Sequence, residues 1–181
     1  GYGWETMIVD EDVRPVEPGA VGELAVKGAG VMKGYYNDPE ATDAVLKNGW
    51  LLTRDMARED EDGFIYLVDR KKDVIITGGE NIYPVQIEDF LSAHPSIKDV
   101  AVIGLPDARL GEVTCAIIQI AQGRTLAEDE VREYCRKLPR YKRPHAIVFA
   151  DVPRNPTGKI EKPKLRRMYG SDQLVARQNR G

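Results

Sequence analysis

A lysine in the C-terminal part of the chain is a candidate for chemistry. Lys159 closes the segment 153–159 (PRNPTGK), in which Pro156 and Gly158 favour a tight, exposed loop. A lysine at the tip of such a loop can reach a phosphate or a carboxylate as a point charge. The segment is not a P-loop, because that motif requires a glycine five residues before Gly158 and a Ser or Thr after the lysine, where this chain has proline and isoleucine. From residue type alone, an ordinary solvated lysine is the better interpretation of Lys159.

Other candidate residues give weaker signals when they are taken one by one. Asp55 and Arg70 are, by themselves, surface charges. The glycines of residues 28–34 (GAGVMKG) miss the dinucleotide-binding spacing by one residue and do not lie in a βαβ unit, so we interpret them as turns. His94 and His145 have no visible partner for acid–base chemistry.

The first part of the chain has the pattern of a β-rich structure. We predict strands at 6–10, 22–27 and 64–68 and a helix at 39–46 that begins with Pro39 and ends at Asn48-Gly49. The charged segment 69–73 (DRKKD) then interrupts the apolar pattern, and we place a domain boundary there, which divides the chain into residues 1–69 and 70–181.

The second part alternates between helix and strand, which predicts a compact α+β domain. Apolar spacing predicts a helix from Pro84 to about His94, and a capping box formed by Thr125 and Glu128 predicts a helix that buries Val131, Tyr134, Cys135 and Leu138. The predicted strands are 74–77, 100–103, 113–120 and 146–149. A polar loop and a basic tail follow, and we expect disorder beyond about residue 170.

Composition restricts the class of protein. Hydrophobic residues make up 42% of the chain and charged residues 30%, which is typical of a soluble globular protein. No apolar run reaches the roughly 20 residues of a membrane-spanning helix. With only two cysteines, a disulfide framework or a metal cluster is not expected, and a reducing cytoplasm fits best.

Charge is distributed unevenly along the chain. Residues 132–181 contain 14 Lys and Arg against 4 Asp and Glu, whereas residues 1–131 contain 12 against 25. A basic end of this kind could contact nucleic acid, a membrane surface or a polyphosphate ligand, or it could be a solvated face with a frayed tail.

Several segments, in order and spacing over nearly the whole chain, resemble the adenylate-forming superfamily, whose members include acyl-CoA synthetases, peptide-synthetase adenylation domains and luciferases. These segments are 22–24 (GEL), 34–37 (GYYN), 49–55 (GWLLTRD), 62–73 (DGFIYLVDRKKD), 78–84 (GGENIYP) and 153–159 (PRNPTGK). The acyl-CoA synthetase branch is the most similar. The resemblance implies an ATP-dependent acid–thiol ligase of which this chain is the C-terminal portion, with a β-rich end of the large domain followed by a mobile α+β lid.

The resemblance also implies residue roles in two successive half-reactions. Asp55 would bind the ribose hydroxyls of ATP or AMP, Arg70 would contact the same nucleotide, and Lys72 would lie at the nucleotide and act as the hinge. Lys159 would be the catalytic residue that bridges the acyl carboxylate and the α-phosphate during adenylation.

In the second half-reaction, the resemblance places Gly78 and Gly79 along the channel for CoA and Asn81 near the phosphate. The implied cofactors are ATP, CoA and Mg²⁺, with the metal held mainly by an N-terminal body that these segments do not cover. The implied partners are a small-molecule carboxylate and CoA, without nucleic acid. We expect that this chain alone cannot complete adenylation.

Two positions depart from the family pattern. Arg54 stands where the family usually has glycine, and Ile76 stands where luciferases have a lysine, which argues against luciferase activity. Two alternatives stay open: a peptide-synthetase adenylation domain, in which a carrier protein accepts the acyl group, and a non-enzymatic binding module with a basic C-terminal face. The acyl substrate and the oligomeric state cannot be read from these residues.

Overall fold

The computed structural model describes residues 3–170, which form a mixed α+β structure and confirm the predicted fold class. The chain divides into two compact units, Gly1–Lys72 and Asp73–Gly181. This division lies three residues beyond the boundary predicted after residue 69, and a hinge at Lys72 stays a prediction. The predicted disorder beyond about residue 170 concerns residues outside the described range.

The described part of the first unit is an antiparallel sheet with one short helix. Strand β2 lies between β1 and β4, and β4 also pairs with β3 and β5. Successive residues of a strand face opposite ways, and the register places Ile8 and Ala57 on one face of this sheet and Ala25 on the other, all three buried. The elements are β1 (Trp4–Val9), β2 (Val21–Gly28), α1 (Pro39–Val45), β3 (Leu46–Lys47), β4 (Trp50–Glu59) and β5 (Ile65–Arg70).

Asn48-Gly49 is a hairpin turn and not a helix stop. Helix α1 ends at Val45, and β3 then pairs with β4 so that Lys47 lies opposite Trp50. Asn48 and Gly49 have φ values of 51° and 85°. Positive φ at both central residues is the requirement of a two-residue type I′ turn, for which Asn-Gly is the preferred sequence. The prediction of a helix at 39–46 ended by this dipeptide was therefore wrong about its end.

The second unit is built around a long β-hairpin. Strands β8 and β9 are antiparallel from Ile97 to Ile120, β10 runs parallel to β9, and β6 pairs with β7 and contacts the start of β9. The elements are β6 (Ile75–Thr77), β7 (Glu80–Ile82), α2 (Pro84–Ser92), β8 (Ile97–Asp107), β9 (Gly111–Ile120), α3 (Glu128–Tyr134), β10 (Ala146–Phe149) and α4 (Lys162–Tyr169).

Both faces of strands β8 and β9 in this second sheet are buried over most of their length. Val100 and Val102 belong to a core cluster with residues of α2 and α3, whereas the alternate residues Ala101 and Ile103 belong to a second cluster with Leu165 of α4. Successive side chains of a strand point to opposite faces, so the continuous apolar runs of β8 and β9 require helices on both sides. The sequence 162–169, predicted as part of a loop and basic tail, supplies the helix for the second face.

Helix α3 begins later than predicted. Its N-cap is Ala127, whose backbone N–H donates to Glu130 Oε2 at 2.7 Å. Glu128 instead pairs with Arg132 one turn along the helix, at 2.6 Å. The predicted capping box of Thr125 and Glu128 was therefore wrong by two residues.

Both cysteines are free and buried, on different elements of the second unit. Burial raises the pKa of the Cys115 thiol to about 12 and also raises the pKa of Cys135. Among the described residues, no helix is both long and apolar enough to span a membrane.

Candidate active site

Asp55 and Arg70 lie opposite each other on β4 and β5 of the first unit. Their Cα atoms are register partners, and Arg70 Nε is 3.2 Å from Asp55 Oδ1. The side chain of Asp55 is 34% exposed and that of Arg70 is 58% exposed. The pair therefore presents a carboxylate and a guanidinium together at the surface, where a polyhydroxyl or phosphate ligand can reach both.

A β-bulge positions Asp55. The pairing of β2 with β4 shifts between Glu23 and Ala25, so Thr53-Arg54-Asp55 bulges opposite Leu24. Thr53 Oγ1 donates to the Leu24 carbonyl at 2.8 Å and accepts from the Asp55 backbone N–H at 3.2 Å. These two bonds fix the backbone on which the Asp55 carboxylate is carried.

The buried carboxylate of Glu23 stabilises the same bulge. Glu23 is only 3% exposed, and its two oxygens accept from the Arg54 backbone N–H at 2.9 Å and from Lys71 Nζ at 2.8 Å. Glu23 thus connects the residue before Asp55 with the residue after Arg70. No role was predicted for Glu23, although a carboxylate among the mainly apolar residues of β2 was a signal that could have identified it.

Arg54 has a backbone conformation that favours glycine. Its φ is 66°, in the left-handed region that side chains other than glycine enter at a cost. This conformation gives a physical reason for the glycine that the resembling family usually has at this position. The Arg54 side chain is exposed, and its Nη2 makes a long contact of 3.4 Å with the Ala44 carbonyl.

Lys72 lies in the 3₁₀ turn Lys71–Asp73 at the end of the first unit, and its side chain is exposed. The flanking residues are both engaged within their own units. Lys71 pairs with Glu23 in the first unit, and the buried Asp73 pairs with Arg166 of α4 in the second, at 2.8 Å. The boundary between the two units therefore lies at the exposed Lys72, and each of its two neighbours forms an ion pair within its own unit.

Gly78 and Gly79 form the two-residue turn of the β6–β7 hairpin. Their φ values are 56° and 89°, and Thr77 lies opposite Glu80. A Cβ on Gly79 would meet no atom within 4 Å, whereas a Cβ on Gly78 would lie 3.3 Å from Leu110 Cδ2. The turn conformation alone accounts for both glycines, and the space beside Gly79 is open.

Asn81 lies on the exposed face of the same hairpin. Its Cα partner is Ile76, which is 54% exposed, so their side chains share one face while Ile75 and Ile82 are buried on the other. The hairpin therefore presents Asn81, Ile76 and the glycine turn together.

Lys159 stands on a loop that is closed by its own hydrogen bonds. Asn155 Oδ1 accepts from the backbone N–H groups of Thr157 and Lys159, at 3.1 and 2.8 Å. The Asn155 backbone N–H donates to the Lys159 carbonyl, and Gly158 N–H donates to the Asn155 carbonyl, each at 2.8 Å. Gly158 has a φ of 83°, which a glycine adopts without steric cost. The Lys159 side chain is exposed at this fixed turn.

Arg154 connects the loop to strand β8. Its guanidinium binds both oxygens of Asp99, at 2.7 and 2.8 Å, and also donates to the Gly158 carbonyl at 2.6 Å. The hydrogen bond from Arg154 lowers the pKa of Asp99 below its usual value, and the same bond raises the pKa of Arg154. Neither Arg154 nor Asp99 was predicted from the sequence to have a role.

The basic end is largely paired within the protein over the described residues. Arg132, Arg136, Arg154, Lys162 and Arg166 each form an ion pair with a carboxylate. Two further cations of this segment donate to uncharged oxygens: Lys142 to Gln86, and Arg143 to the carbonyls of residues 136 and 138. Many of the Lys and Arg side chains in the described part of this segment therefore contact other groups of the protein. This gives little support to a basic face for nucleic acid.

The structure thus arranges the candidate residues in three places. Asp55 and Arg70 form one pair, with Lys72 two residues further along; Gly78, Gly79 and Asn81 share one hairpin; and Lys159 has a loop of its own. No cluster of three or more His, Cys, Asp or Glu side chains suited to a metal ion occurs within residues 3–170. The role of each candidate residue stays a prediction.

Comparison with known proteins assigns one segment of the chain to a family model and finds similar proteins for most of its length. Residues 86–159 match the model of the AMP-binding enzyme C-terminal domain. The chain is 46% identical over 166 residues to the putative acyl-CoA synthetase YngI of Bacillus subtilis, covering 90% of this chain and 30% of YngI. It is 45% identical to an indoleacetate–CoA ligase of Aromatoleum aromaticum, covering 94% of this chain and 32% of that protein.

Solved structures agree with the sequence comparison. The crystal structure of ATP-bound MatB from Rhodopseudomonas palustris superposes with a TM-score of 0.88 at 35% identity, covering 93% of this chain and 34% of MatB. The chain thus spans about a third of the length of the relatives that it matches.

The fold and these matches define the class: the segment 86–159 is an AMP-binding enzyme C-terminal domain. Over nearly all of its length the chain is similar to acyl-CoA synthetases and CoA ligases, of which it spans about a third. The resemblance seen in the sequence is thereby confirmed.

Proposed function

We propose that this chain is the C-terminal part of an AMP-forming acyl-CoA synthetase and carries its adenylation lysine, Lys159. The supporting observation is the closed, exposed loop that presents Lys159, which is also the last residue of the matched C-terminal domain region. The whole enzyme would join a small carboxylic acid to CoA at the expense of ATP. The relatives' names as CoA ligases support this reaction class.

In the first half-reaction, a carboxylate oxygen attacks the α-phosphorus of ATP. The bond from that phosphorus to the β-bridging oxygen breaks, and pyrophosphate leaves with the electron pair. Lys159 Nζ lies between the carboxylate and the α-phosphate and offsets the negative charge that develops there. Lysine suits this task because its ammonium group is a compact donor on a flexible stem.

Asp55 and Arg70 hold the nucleotide in this proposal. A carboxylate accepts hydrogen bonds from two neighbouring hydroxyls, as the ribose requires. Arg70 orients Asp55 through the 3.2 Å ion pair and offers its remaining N–H groups to the nucleotide. The buried Glu23 and the bulge at Arg54 keep this pair in register.

In the second half-reaction, the sulfur of CoA bonds to the acyl carbon and the thiol proton passes to solvent. The bond from the acyl carbon to the phosphate oxygen breaks, and AMP leaves with that electron pair. Lys159 is not needed for this step, so a rotation at Lys72 can exchange the Lys159 loop for the β6–β7 hairpin. The open space beside Gly79 would admit the narrow pantetheine arm, and Asn81 would lie near the phosphate. Residues outside this chain would hold Mg²⁺, which neutralises the phosphates of ATP when it is bound.

The acyl acceptor separates this proposal from its nearest alternative. A peptide-synthetase adenylation domain would pass the acyl group to a carrier protein, whereas a CoA ligase passes it to free CoA. The names of the relatives favour CoA. We place the enzyme in the cytoplasm, where both cysteines, free and buried in the structure, would stay reduced.

The test uses the complete enzyme that contains this chain and compares Lys159→Ala with Lys164→Ala, an exposed lysine on α4. Two assays are run: carboxylate-dependent exchange of pyrophosphate into ATP, and thioester formation from presynthesised acyl-adenylate and CoA. We expect Lys159→Ala to lose about 100- to 1,000-fold in the first assay, as is usual for a charge-stabilising donor. The second assay should be unaffected.

The control Lys164→Ala should behave as the parent in both assays. Equal survival of both activities in Lys159→Ala would make Lys159 an ordinary surface cation and refute the proposed role. Loss of both activities in Lys159→Ala alone would contradict the two-pose mechanism.

A further inference from the structure

The Lys159 loop contains two separate sets of hydrogen bonds, and only one of them is local. Asn155 closes the turn upon itself, since its side chain and backbone bond to Thr157, Gly158 and Lys159. Such bonds fix the internal shape of a loop. They do not fix the direction in which the loop points from the body of the domain.

Arg154 supplies a contact of the second kind. Its three side-chain nitrogens have three acceptors: Nε and Nη2 bind the two oxygens of Asp99, and Nη1 binds the Gly158 carbonyl at 2.6 Å. Asp99 belongs to β8, and its Oδ1 also accepts from the Val100 backbone N–H at 2.9 Å. The peptide that contains the Gly158 carbonyl also contains the Lys159 N–H, so the guanidinium bridges from strand β8 to the peptide that carries Lys159.

The exposure of this pair indicates a role in placement more than in stability. The Arg154 side chain is 45% exposed and that of Asp99 is 18% exposed. Ion pairs that are open to solvent contribute little to folding. A bidentate Arg–carboxylate pair nevertheless has a defined geometry, which a lysine at the same position cannot reproduce because its ammonium is a single point.

We propose that Arg154, held by Asp99, is a positioning residue that fixes the Lys159 loop on the body of its domain so that Lys159 Nζ enters the adenylation site in one orientation. This inference rests on the proposed role of Lys159. It assigns a function to Arg154 and Asp99 that is distinct from contact with substrate.

The first experiment measures the loop itself and needs no activity. Backbone ¹⁵N relaxation is recorded on this chain for the parent, Arg154→Lys and Asp99→Asn, with Arg132→Lys as the matched control. Arg132 also forms a two-nitrogen pair with a carboxylate, Glu128, at side-chain exposures of 42% and 44%. We expect order parameters at Gly158 and Lys159 to fall from about 0.85 in the parent to below about 0.6 in the first two variants only.

The second experiment measures function in the complete enzyme. Arg154→Lys and Asp99→Asn should lower the turnover rate of pyrophosphate exchange by about 10- to 100-fold, as misplacement of a catalytic group by about 1 Å does. The KM for the acid and the rate of thioester formation from presynthesised acyl-adenylate should stay near parental values. In the background of Lys159→Ala, adding Arg154→Lys should cause no further loss, because the positioned group is already absent.

The outcomes separate this inference from the proposed function. If Lys159→Ala abolishes exchange but Arg154→Lys and Asp99→Asn resemble Arg132→Lys in both experiments, the positioning role is refuted while the proposed function stands. If Lys159→Ala itself leaves exchange intact, the proposed function fails, and the relaxation data alone then decide whether Arg154 orders the loop. Loosening of the loop without loss of exchange would also overturn the positioning role.

Discussion

Replacement of Glu23 tests whether one buried carboxylate supports the bulge that carries Asp55 in the first unit. Glu23→Ala removes the acceptor of the Arg54 backbone N–H and of Lys71. An orphaned buried donor costs about 1–3 kcal/mol, and breaking a buried ion pair costs about 3–5 kcal/mol. Lys71 is 38% exposed and can regain water. The two costs overlap because one carboxylate makes both contacts, so we expect a total loss of about 3 kcal/mol, the low end of the cost of breaking a buried ion pair.

Glu23→Gln provides a graded comparison. The amide oxygen still accepts from the Arg54 N–H, so only the charged part of the interaction is lost, and we expect a cost of about 1–2 kcal/mol. Glu128→Ala removes an exposed pair with Arg132 and should cost less than about 0.5 kcal/mol.

Tryptophan fluorescence offers an assay that is specific for the first unit. The two tryptophans of the chain, Trp4 and Trp50, both lie in that unit. Their emission during denaturation in guanidinium therefore reports the free energy of unfolding of the unit that contains Glu23. A loss of less than about 0.5 kcal/mol in Glu23→Ala, equal to the exposed control, would refute the view that this carboxylate supports the bulge.

Two further predictions concern backbone strain and thiol ionisation. Arg54→Gly relieves the positive φ of 66° and should stabilise the first unit by about 1 kcal/mol in the same fluorescence assay; destabilisation would show that the side-chain contact with Ala44 outweighs the strain. Cys115, whose pKa is raised to about 12 by burial, should resist alkylation at neutral pH until the second unit unfolds. The same rise in pKa should lower the free energy of unfolding of the second unit as the pH rises from about 9 toward about 12, because the thiol ionises first in the unfolded chain. Alkylation of the folded chain at the rate of a free thiol would contradict the predicted resistance of Cys115.

Segments with a strong local period could be predicted from the sequence. The helix from Pro84 was correct because Ile87 and Leu91 lie one turn apart and face the core. Strands β8 and β9 were found from their apolar runs, although β8 proved to extend from Ile97 to Asp107.

The wrong predictions concern elements whose structure depends on contacts between distant segments, which a local sequence signal does not contain. Asn-Gly is a strong turn signal, yet whether it ends a helix or joins two strands depends on β3 pairing with β4, which is a contact between segments. Helix α4 was missed because Lys162–Tyr169 is rich in Lys and Arg. Its helical state depends on burying Leu165 against the second face of the sheet.

The candidate site shows the same limit. Lys159 could be proposed from its loop residues and the resemblance, since Pro156 and Gly158 mark a turn. Its support by Asp99 could not, because the two lie 60 positions apart in the sequence. Glu23 and Lys71 are separated by 48 positions, and their pairing exists only once β2, β4 and β5 are assembled.

The two-residue turn at Gly78-Gly79 makes the length of this segment as important as its composition. Asn81 is exposed and Ile82 is buried, because successive residues of β7 face opposite ways. A one-residue insertion or deletion between Thr77 and Glu80 would shift the register of β7 and exchange these two faces, placing an amide in the core and an isoleucine outside. In an alignment of related chains, gaps should therefore be excluded from this hairpin, even where its individual residues vary.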